Sequence, residues 1–287
     1  MRVLLTGAGG QVGRALALLA PDGVRLQPLT HAQLDVTSAE AVARTVAELR
    51  PEAIINAAAY TAVERAEDEP ERAQAVNGAG PAHLARAARA AGARLVHIST
   101  DFVFDGAASV PYTPQAPTHP LNVYGRSKRA GEEQVLALWP ERSLVLRTSW
   151  VYAPWGANFL QTMLRLMRAG QTVRVVADQV GTPTSARSLA AAIWKILARP
   201  ELSGLHHWSD AGVASWYDFA VAIAEEARRG GLLEQEASVT PIRSAEYPSR
   251  ARRPPYSVLD THSLAALGAP RHWRAELTDV LRELPRA

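Results

Sequence analysis

The 287-residue chain is predicted to be an α/β protein with a doubly wound parallel sheet, the Rossmann architecture. Short apolar runs alternate along it with segments in which apolar residues recur at helical spacing. A glycine-rich turn joins the first run to the first helical segment, and a hydrophobic content of 47% is ample for a packed core. This alternation implies right-handed crossovers that place helices on both faces of the sheet.

The first 56 residues supply three strands and two helices. Residues 2–6 form an apolar run that stops at glycines, as a buried parallel strand does. Apolar residues at helical spacing then predict a helix over 11–20, which ends at Pro21. A second strand follows at 24–29. Ser38 is a suitable N-cap for a helix over 38–49, and residues 53–56 form a third strand.

The alternation continues to Trp150 and then loosens. Helices are predicted over 71–91 and 126–138, and strands over 94–99 and 143–147. Beyond Trp150, helices at 159–168 and 188–197 are separated by stretches rich in Pro, Gly and Trp. We therefore expect an NAD(P)-binding domain over 1–150, to which a segment at about 185–210 returns. Residues 151–287 would form mainly a smaller, interleaved substrate-binding domain.

Composition excludes several classes of function. The absence of cysteine rules out disulfides, thiol catalysis and thiolate metal sites, and it fits a cytoplasmic location. No apolar run is long enough to span a membrane, and the N-terminal residues contain no apolar run that ends in a cleavage site. We therefore expect an unprocessed chain and no membrane partner. A net charge of +3, with arginines scattered among 28 acidic residues, argues against nucleic-acid binding.

A glycine-rich turn follows the first strand and opens the first helix. Gly7, Gly10 and Gly13 permit a tight turn and close approach of the backbone to a pyrophosphate, which would rest on the helix N-terminus beside Gln11 and Val12. The alternative is an ordinary glycine-rich loop.

The cofactor that this turn would hold is predicted to be NADPH, with NADH also compatible. No acidic residue closes the second strand, where Thr30 and His31 stand instead, so nothing there repels a 2′-phosphate. No arginine stands there to select the phosphate either. Asp35 and Val36, at the next turn, are expected near the adenine.

Tyr124 and Lys128 are predicted to be a catalytic pair. Four residues apart on a helix, the phenol and the ammonium lie on one face about one turn apart. An adjacent cation favours the ionised phenol and should draw its pKa towards the neutral range. The chain has only two lysines, Lys128 and Lys195, so chance is a weak explanation of this spacing. The alternative is an ordinary surface helix.

Thr100 follows the fourth predicted strand, within Ser99-Thr-Asp101. Ligands of doubly wound sheets lie beyond the carboxyl ends of the strands, so its hydroxyl could bind a reacting carbonyl. The alternative is a turn or a helix cap. Its position before Tyr124-x-x-x-Lys128 favours the catalytic interpretation.

These motifs resemble the extended short-chain dehydrogenases/reductases. Further blocks are similar to the dTDP-4-dehydrorhamnose reductase family within them. They are Asn56-Ala-Ala-Ala-Tyr-Thr-Ala-Val-Glu64, Ser99-Thr-Asp-Phe-Val-Phe-Asp-Gly106, Leu121-Asn-Val-Tyr-Gly125, Arg147-Thr-Ser-Trp-Val-Tyr152 and Asp178-Gln-Val-Gly-Thr-Pro-Thr184. The blocks span most of the chain. The resemblance implies reduction of the C4 keto group of dTDP-4-dehydro-6-deoxy-L-mannose by NAD(P)H, giving dTDP-L-rhamnose.

The resemblance also implies roles for individual residues. Thr100 would hydrogen-bond the keto oxygen, Tyr124 would protonate it, and Lys128 would support Tyr124 and the cofactor ribose. The remaining expected site residues contact the sugar, the diphosphate or the cofactor. They are Asp101 and Trp150 for the sugar, Asn158, Phe159 and Arg253 for the nucleotide diphosphate, and Ala57 and Ala58 for the cofactor. An indole face suits the apolar face of a deoxy sugar, and an arginine fork suits phosphate oxygens.

Metal use and oligomeric state are predicted from a departure from the family pattern. Some family members are thought to dimerise around a magnesium ion held by glutamates, one of them near the start of the first helix. Here that region reads Gly13-Arg-Ala-Leu-Ala17 and has no carboxylate. We therefore expect no metal and a monomer or weak homodimer.

Two other functions stay open on the sequence alone. A sugar-nucleotide epimerase or dehydratase of the same superfamily would use the same tyrosine and lysine but would retain NAD tightly. A non-catalytic regulatory subunit, similar to that of methionine adenosyltransferase, would need neither residue. The presence of Thr100, Tyr124 and Lys128 favours an enzyme.

Overall fold

A computed structural model describes residues 1–285. The strands in chain order are β1 (Arg2–Thr6), β2 (Arg25–Leu29), β3 (Ala53–Asn56), β4 (Arg94–Thr100), β5 (Ser143–Thr148), β6 (Val151–Tyr152), β7 (Val173–Val176), β8 (Val180–Gly181), β9 (Thr184–Ser185), β10 (Gly204–His207), β11 (Ala214–Ser215) and β12 (Val239–Ile242). The α-helices are α1 (Gln11–Leu18), α2 (Ala39–Leu49), α3 (Val63–Ala66), α4 (Pro70–Gln74), α5 (Gly80–Ala91), α6 (Val123–Leu138), α7 (Phe159–Arg168), α8 (Ala186–Leu197), α9 (Trp216–Arg229) and α10 (Trp273–Arg282). None of the helices in this part of the chain has both the length and the hydropathy needed to cross a bilayer.

A six-stranded sheet forms the centre of the fold, in the order β10-β5-β4-β3-β1-β2. Every neighbouring pair in it is parallel. The chain runs outward from β1 to β2 and then crosses to β3 on the other side of β1. The strand order therefore reverses between β1 and β3, and this is the point at which doubly wound folds bind ligands.

Helices cover both faces of the sheet, as predicted. On one face α1 packs against α8 over a core that includes Leu5, Ile55 and Leu146. On the other face α2, α5 and α6 pack over alternate residues of the same strands, including Leu4 and Ile54. Because both faces are buried, the strands read as nearly continuous apolar runs.

A third apolar core lies in the C-terminal half and is built mainly by α7, α9 and α10. Phe219 and Leu277, on two of these helices, are fully buried in it. Residues 186–207 belong instead to the sheet layers, since α8 packs on α1 and β10 pairs with β5. The division into residues 1–150 and 151–287 stays a prediction, and the last two residues of that range lie outside the described ones.

The helix predicted over 71–91 is interrupted. It begins at Pro70, and α4 passes into α5 through a π-helical turn at Ala75–Ala79. Buried Asn77 explains the turn, because its Oδ1 accepts from the Tyr60 N–H (2.8 Å) and its Nδ2 donates to the Tyr60 carbonyl (2.9 Å). These contacts are formed with a distant loop, so helical periodicity could not reveal them.

Asp210 is a buried carboxyl at the junction of the sheet layers and the C-terminal core. Its Oδ2 accepts from the backbone N–H of Ser185 at 2.8 Å. Burial raises the pKa of Asp210 to about 7, and the nearby Glu276 adds repulsion. Between the ordinary value of 3.8 and about 7, the unfolded chain binds fewer protons than the folded chain. Stability therefore falls as the pH rises through this window.

Asp210→Asn is expected to remove this part of the pH dependence. One pKa unit is worth about 1.4 kcal/mol. The unfolding free energy of the variant relative to the wild type should therefore be about 2 to 3 kcal/mol higher at pH 8 than at pH 5. Urea unfolding at both pH values measures this difference. Asp22→Asn, on the exposed surface, serves as the matched control. An unchanged pH slope in Asp210→Asn would contradict the prediction.

Candidate active site

A cavity of about 530 Å³ opens at the carboxyl edge of the central sheet. It adjoins the point between β1 and β3 where the strand order reverses. Its walls come from the turn after β1, the segment after β3, the end of β4, the start of α6 and the loop before α7. The predicted site residues that line it are Gly10, Gln11, Val12, Ala57, Thr100, Asp101, Tyr124, Lys128, Trp150, Asn158, Phe159 and Arg253.

The glycines of the first turn shape this cavity. Gly7 has φ +70°, and a Cβ built on it would lie 2.5 Å from the backbone of Ala57 and Ala58. A Cβ on Gly13 would lie 2.2 Å from the Gly7 carbonyl oxygen. The turn is thus packed tightly against the segment after β3. Gly10, the N-cap of α1, has no side chain to cap the first amides, so these N–H groups are available to an anion.

A buried polar chain connects the carboxyl ends of β1 and β3 to the middle of β4. Asn56 Oδ1 accepts from the Thr6 hydroxyl (2.7 Å) and from the Ala58 N–H (3.1 Å), so its Nδ2 donates to His97 Nδ1 at 2.9 Å. His97 therefore carries its ring proton on Nε2, and burial holds its pKa well below the ordinary value. His97 was not among the predicted site residues, and its place inside an apolar strand was the available signal.

Thr100 and Tyr124 are brought together by two helix caps. One is at the short 3₁₀-helix Asp101–Val103, and the other is at α6. The Thr100 Oγ1 accepts from the Phe102 N–H (3.2 Å) and lies 3.1 Å from Asp101 Oδ1, to which it donates. Asn122 caps α6 by accepting from the Gly125 N–H at 2.8 Å. This cap starts the helix at Val123 instead of the predicted 126, so that Tyr124 lies in its first turn.

Gly125 allows α6 to approach the end of β4 closely. A Cβ there would lie 2.2 Å from the Phe102 carbonyl oxygen. We expect Gly125→Ala to cost about 1 to 3 kcal/mol of stability, because the backbone must move. Turnover should fall at least about tenfold, since displacements of this size disturb a reacting geometry. Thermal unfolding and steady-state kinetics measure the two effects.

Gly230→Ala provides the matched control for that substitution. Gly230 follows α9 with φ −80°, and the atom nearest to an added Cβ lies 3.3 Å away. Gly230 does not line the cavity at the carboxyl edge of the sheet. Wild-type turnover in Gly125→Ala would contradict the role given to the close helix approach.

Lys128 is 2% exposed, and its Nζ donates to the carbonyl oxygen of Ile98 at 2.6 Å. Burial lowers the pKa of Lys128 to about 8, while nearby Glu132 acts in the opposite direction. The ammonium is thus fixed beside β4, one helical turn from Tyr124, as the spacing predicted.

The prediction that Lys128 draws the pKa of Tyr124 towards the neutral range is wrong for this structure. Burial raises the pKa of the phenol to about 12, with the Asp101 charge adding to the rise and the Thr100 hydroxyl opposing it. Desolvation of the phenol is the largest cause of this rise, and the Lys128 ammonium is already hydrogen-bonded to the Ile98 carbonyl. The phenol is consequently protonated at neutral pH, which is the form that an acid catalyst needs.

Asp101 lies at the floor of the cavity and is 2% exposed. Burial raises its pKa to about 7, against the effect of hydrogen bonding by Ser257 and Thr100. Its Oδ1 accepts from the Thr100 hydroxyl at 3.1 Å. Contact of Asp101 with the sugar stays a prediction.

A family model described as the RmlD substrate binding domain matches residues 1–286. This chain belongs to that family.

Curated relatives and solved structures agree with this assignment. The chain is 44% identical over 286 residues to the dTDP-4-dehydrorhamnose reductase of Streptomyces griseus, covering 97% of this chain and 92% of that protein. It is 40% identical to the spore coat polysaccharide biosynthesis protein SpsK of Bacillus subtilis, covering 98% and 97%. A solved dTDP-4-dehydrorhamnose reductase from Bacillus anthracis, in complex with NADP, superposes with a TM-score of 0.93 at 37% identity, covering 98% and 99%. The predicted family and fold class are confirmed.

In this member of the RmlD family, Trp150 presents its edge and not a face to the cavity. One face stacks on Trp216, with ring centroids 3.6 Å apart and planes 4° apart. A Cβ on Gly181 would lie 2.6 to 2.8 Å from three consecutive indole atoms, and such similar distances place Gly181 over the other face. The face-on sugar contact expected from the sequence is therefore not available in this arrangement. A substrate role for Trp150 stays a prediction.

A second cavity of about 590 Å³ adjoins the first and shares three of its wall residues, Phe159, Trp216 and Arg253. Its remaining wall comes mainly from α7, β7 and residues 244–252. Arg253 thus lies where the two cavities meet. Its Nη2 donates to Glu64 at 2.8 Å, while its Nε has no partner among the described residues.

Glu64 also holds the chain around Arg253. It accepts from the Ser249 hydroxyl (2.8 Å) and the Arg250 N–H (2.9 Å). These hydrogen bonds and Arg253 outweigh desolvation and lower the pKa of Glu64 to about 2. This role of Glu64 could not be predicted from the sequence, because its partners lie about 185 positions away.

Five of the predicted cofactor residues do not line either cavity. Gly7 and Gly13 act through the turn, and the Ala58 N–H is bound to Asn56. Val36 is buried, and the Asp35 carboxylate accepts from the Thr37 N–H at 2.9 Å. Hydrogen bonding by Thr37 lowers the pKa of Asp35. Contact of these residues with a cofactor stays a prediction.

Proposed function

We propose that this chain reduces the C4 keto group of dTDP-4-dehydro-6-deoxy-L-mannose with NADPH to give dTDP-L-rhamnose. The observation that supports this most is the convergence of Thr100, Tyr124 and Lys128 on one cavity with the glycine turn. A reductase needs a hydride donor beside an acid, and these residues can provide both the place and the proton. Relatives that share 41–44% identity over nearly the whole chain are named dTDP-4-dehydrorhamnose reductase.

The residues around the glycine turn fit a dinucleotide. The uncapped amides at the start of α1 suit a pyrophosphate, and the contacts of Gly7 and Gly13 leave the turn no room for side chains. Lys128, which lines the same cavity, would contact the nicotinamide ribose. When bound, NADPH would supply the hydride, and NADH is also compatible with the site.

The two adjoining cavities fit the two ends of a nucleotide sugar. The sugar would lie beside Thr100 and Tyr124, and the nucleoside in the second cavity between α7 and residues 244–252. The diphosphate would then pass Arg253, whose guanidinium is held at the junction by Glu64. Charge-assisted bonds from an arginine fork are well suited to phosphate oxygens. Asn158 Nδ2 already has protein acceptors, so its contribution is to hold the loop.

Each catalytic residue has one task. The Thr100 hydroxyl, which donates to Asp101 Oδ1 in this structure, would turn its one proton to the C4 keto oxygen and polarise it. Tyr124, protonated at neutral pH, would give its proton to that oxygen as negative charge develops there. The transfer is favourable because an alkoxide is a stronger base than a phenolate. Lys128, bound to the Ile98 carbonyl, would stabilise the phenolate that remains.

An assay of NADPH oxidation tests the proposal. The purified chain is mixed with dTDP-4-dehydrorhamnose, and with NADPH or NADH in parallel. We expect substrate-dependent oxidation of NADPH with dTDP-L-rhamnose as product. The absence of turnover with both NADPH and NADH would overturn the proposal. NAD that stays bound through gel filtration would point instead to an epimerase or a dehydratase.

The sequence also led to expectations for the location, the oligomeric state and the metal use of this protein. A cytoplasmic location, a monomer or weak homodimer, and independence from metal stay predictions. Sedimentation with and without EDTA tests the last two together, and a metal-dependent dimer would contradict both.

A further inference from the structure

The loop of residues 153–158 lies across the start of α1. The indole Nε1 of Trp155 donates to the Gln11 carbonyl oxygen at 3.2 Å, and Asn158 Nδ2 donates to Gln11 Oε1 at 2.8 Å. These partners are 144 and 147 positions apart in sequence. A Cβ on Gly156 would lie 3.5 Å from Gln11 Cγ, so the loop is in close contact with this one side chain.

Trp155 is also held between two arginines of the sheet layers. The Arg14 guanidinium of α1 lies 4.6 Å from the indole ring centroid, and that of Arg187 on α8 lies 5.6 Å from it. Cation–π contacts of this kind favour one position of the ring. The loop is therefore fixed to the dinucleotide-binding side of the molecule through Trp155 as well as through Gln11.

The other end of the loop starts α7 on the substrate side. Asn158 is the N-cap of α7, and its Oδ1 accepts from the Gln161 N–H at 3.0 Å. This helix presents Phe159 and Met163 to the second cavity. The Asn158 amide thus makes two contacts. Its nitrogen donates to Gln11 beside the glycine turn, and its oxygen caps α7, which lines the second cavity.

We infer that Gln11 and Asn158 form a latch through which a bound dinucleotide positions the substrate side of the site. Gln11 is the first residue of α1 and lines the cavity beside the free amides. A pyrophosphate there would fix Gln11, and through it Asn158 and α7. Since coupling between two sites is reciprocal, each ligand would raise the affinity for the other. This inference rests on the proposed function.

Titration calorimetry tests the latch with NADP⁺ and dTDP as probes. The Kd of each is measured alone and in the presence of the other. We expect the wild-type chain to bind each ligand about fivefold more tightly when the other is present, which is about 1 kcal/mol at 1.4 kcal/mol per tenfold. Because the coupling is a ratio of affinities, changes that affect one ligand alone cancel.

Two variants remove the latch from opposite sides. Gln11→Met keeps the side-chain length but has no acceptor. Asn158→Ser keeps a good cap for α7 but is too short to reach Gln11. Both are expected to bring the coupling factor close to one. Gln171→Met, at an exposed position away from both cavities, is the matched control and should retain the wild-type factor.

The outcomes separate the latch from the proposed function. Equal affinities with and without the second ligand in the wild type would overturn the latch, as would retention of coupling in either variant. If the wild type binds neither NADP⁺ nor dTDP, the proposed function itself is overturned, and the latch with it. Thermal unfolding of each variant shows that the measurements are made on folded protein.

Discussion

Replacing Tyr124 with phenylalanine is expected to lower turnover by about 10²- to 10⁴-fold, the range typical of a lost acid catalyst. The substitution removes only the hydroxyl. The ring keeps its edge-on contact with Phe102, at a centroid distance of 5.7 Å, so the start of α6 should stay in place. Thr100 and the glycine turn are untouched, and NADPH affinity should change little. Steady-state kinetics with dTDP-4-dehydrorhamnose and a direct NADPH titration measure both quantities.

Tyr217→Phe is the matched control for this experiment. The Tyr217 hydroxyl makes no hydrogen bond within residues 1–285, and the residue lines neither cavity. It should keep wild-type turnover. If Tyr124→Phe also keeps it, then Tyr124 is not the proton donor and the proposed mechanism fails.

Glu132→Gln is expected to lower the unfolding free energy by about 3 to 5 kcal/mol. Glu132 on α6 and Arg147 on β5 are 0% and 1% exposed, and they form a two-point ion pair with N···O distances of 2.8 and 2.7 Å. The variant leaves the Arg147 charge buried without its counterion. Urea unfolding measures the loss. Because α6 also carries Tyr124 and Lys128, activity should decline at a lower temperature than in the wild type.

A double variant separates the cost of the unpaired charge from the value of the pair. Glu132→Leu combined with Arg147→Met should recover much of the stability, because apolar side chains of similar volume need no counterion. The surface pair of Glu40 and Arg44, 88% and 61% exposed, provides the control. Glu40→Gln should cost less than about 1 kcal/mol. A loss in Glu132→Gln as small as this would contradict the prediction.

The fold was largely predictable because local pattern and tertiary environment agree over many of its elements. The strand at Arg2–Thr6 and the helix at Phe159–Arg168 have the bounds that their apolar spacing indicates. The helix over 71–91 was not fully predictable. Its π-helical turn follows from hydrogen bonds between Asn77 and the backbone of Tyr60, which only the folded chain brings together.

The site was predictable in its residues more than in its electrostatics. Spacing alone indicates that Tyr124 and Lys128 share a helix face, and the structure brings both to the cavity with Thr100. It could not indicate that burial would raise the Tyr124 pKa to about 12, because desolvation depends on what surrounds the group. The pairing of Glu132 with Arg147 likewise depends on how α6 crosses β5.

The rarity of lysine makes this protein convenient for chemical labelling. An amine-selective acylating reagent meets two lysine side chains, Lys195 on the exposed surface and Lys128 within the site. Once the α-amine of the chain is blocked, Lys195 can serve as the attachment point to a support, since it lies on α8, outside both cavities. Acylation of Lys128, followed by peptide mass spectrometry, would report access to the reaction centre without an attached reporter group.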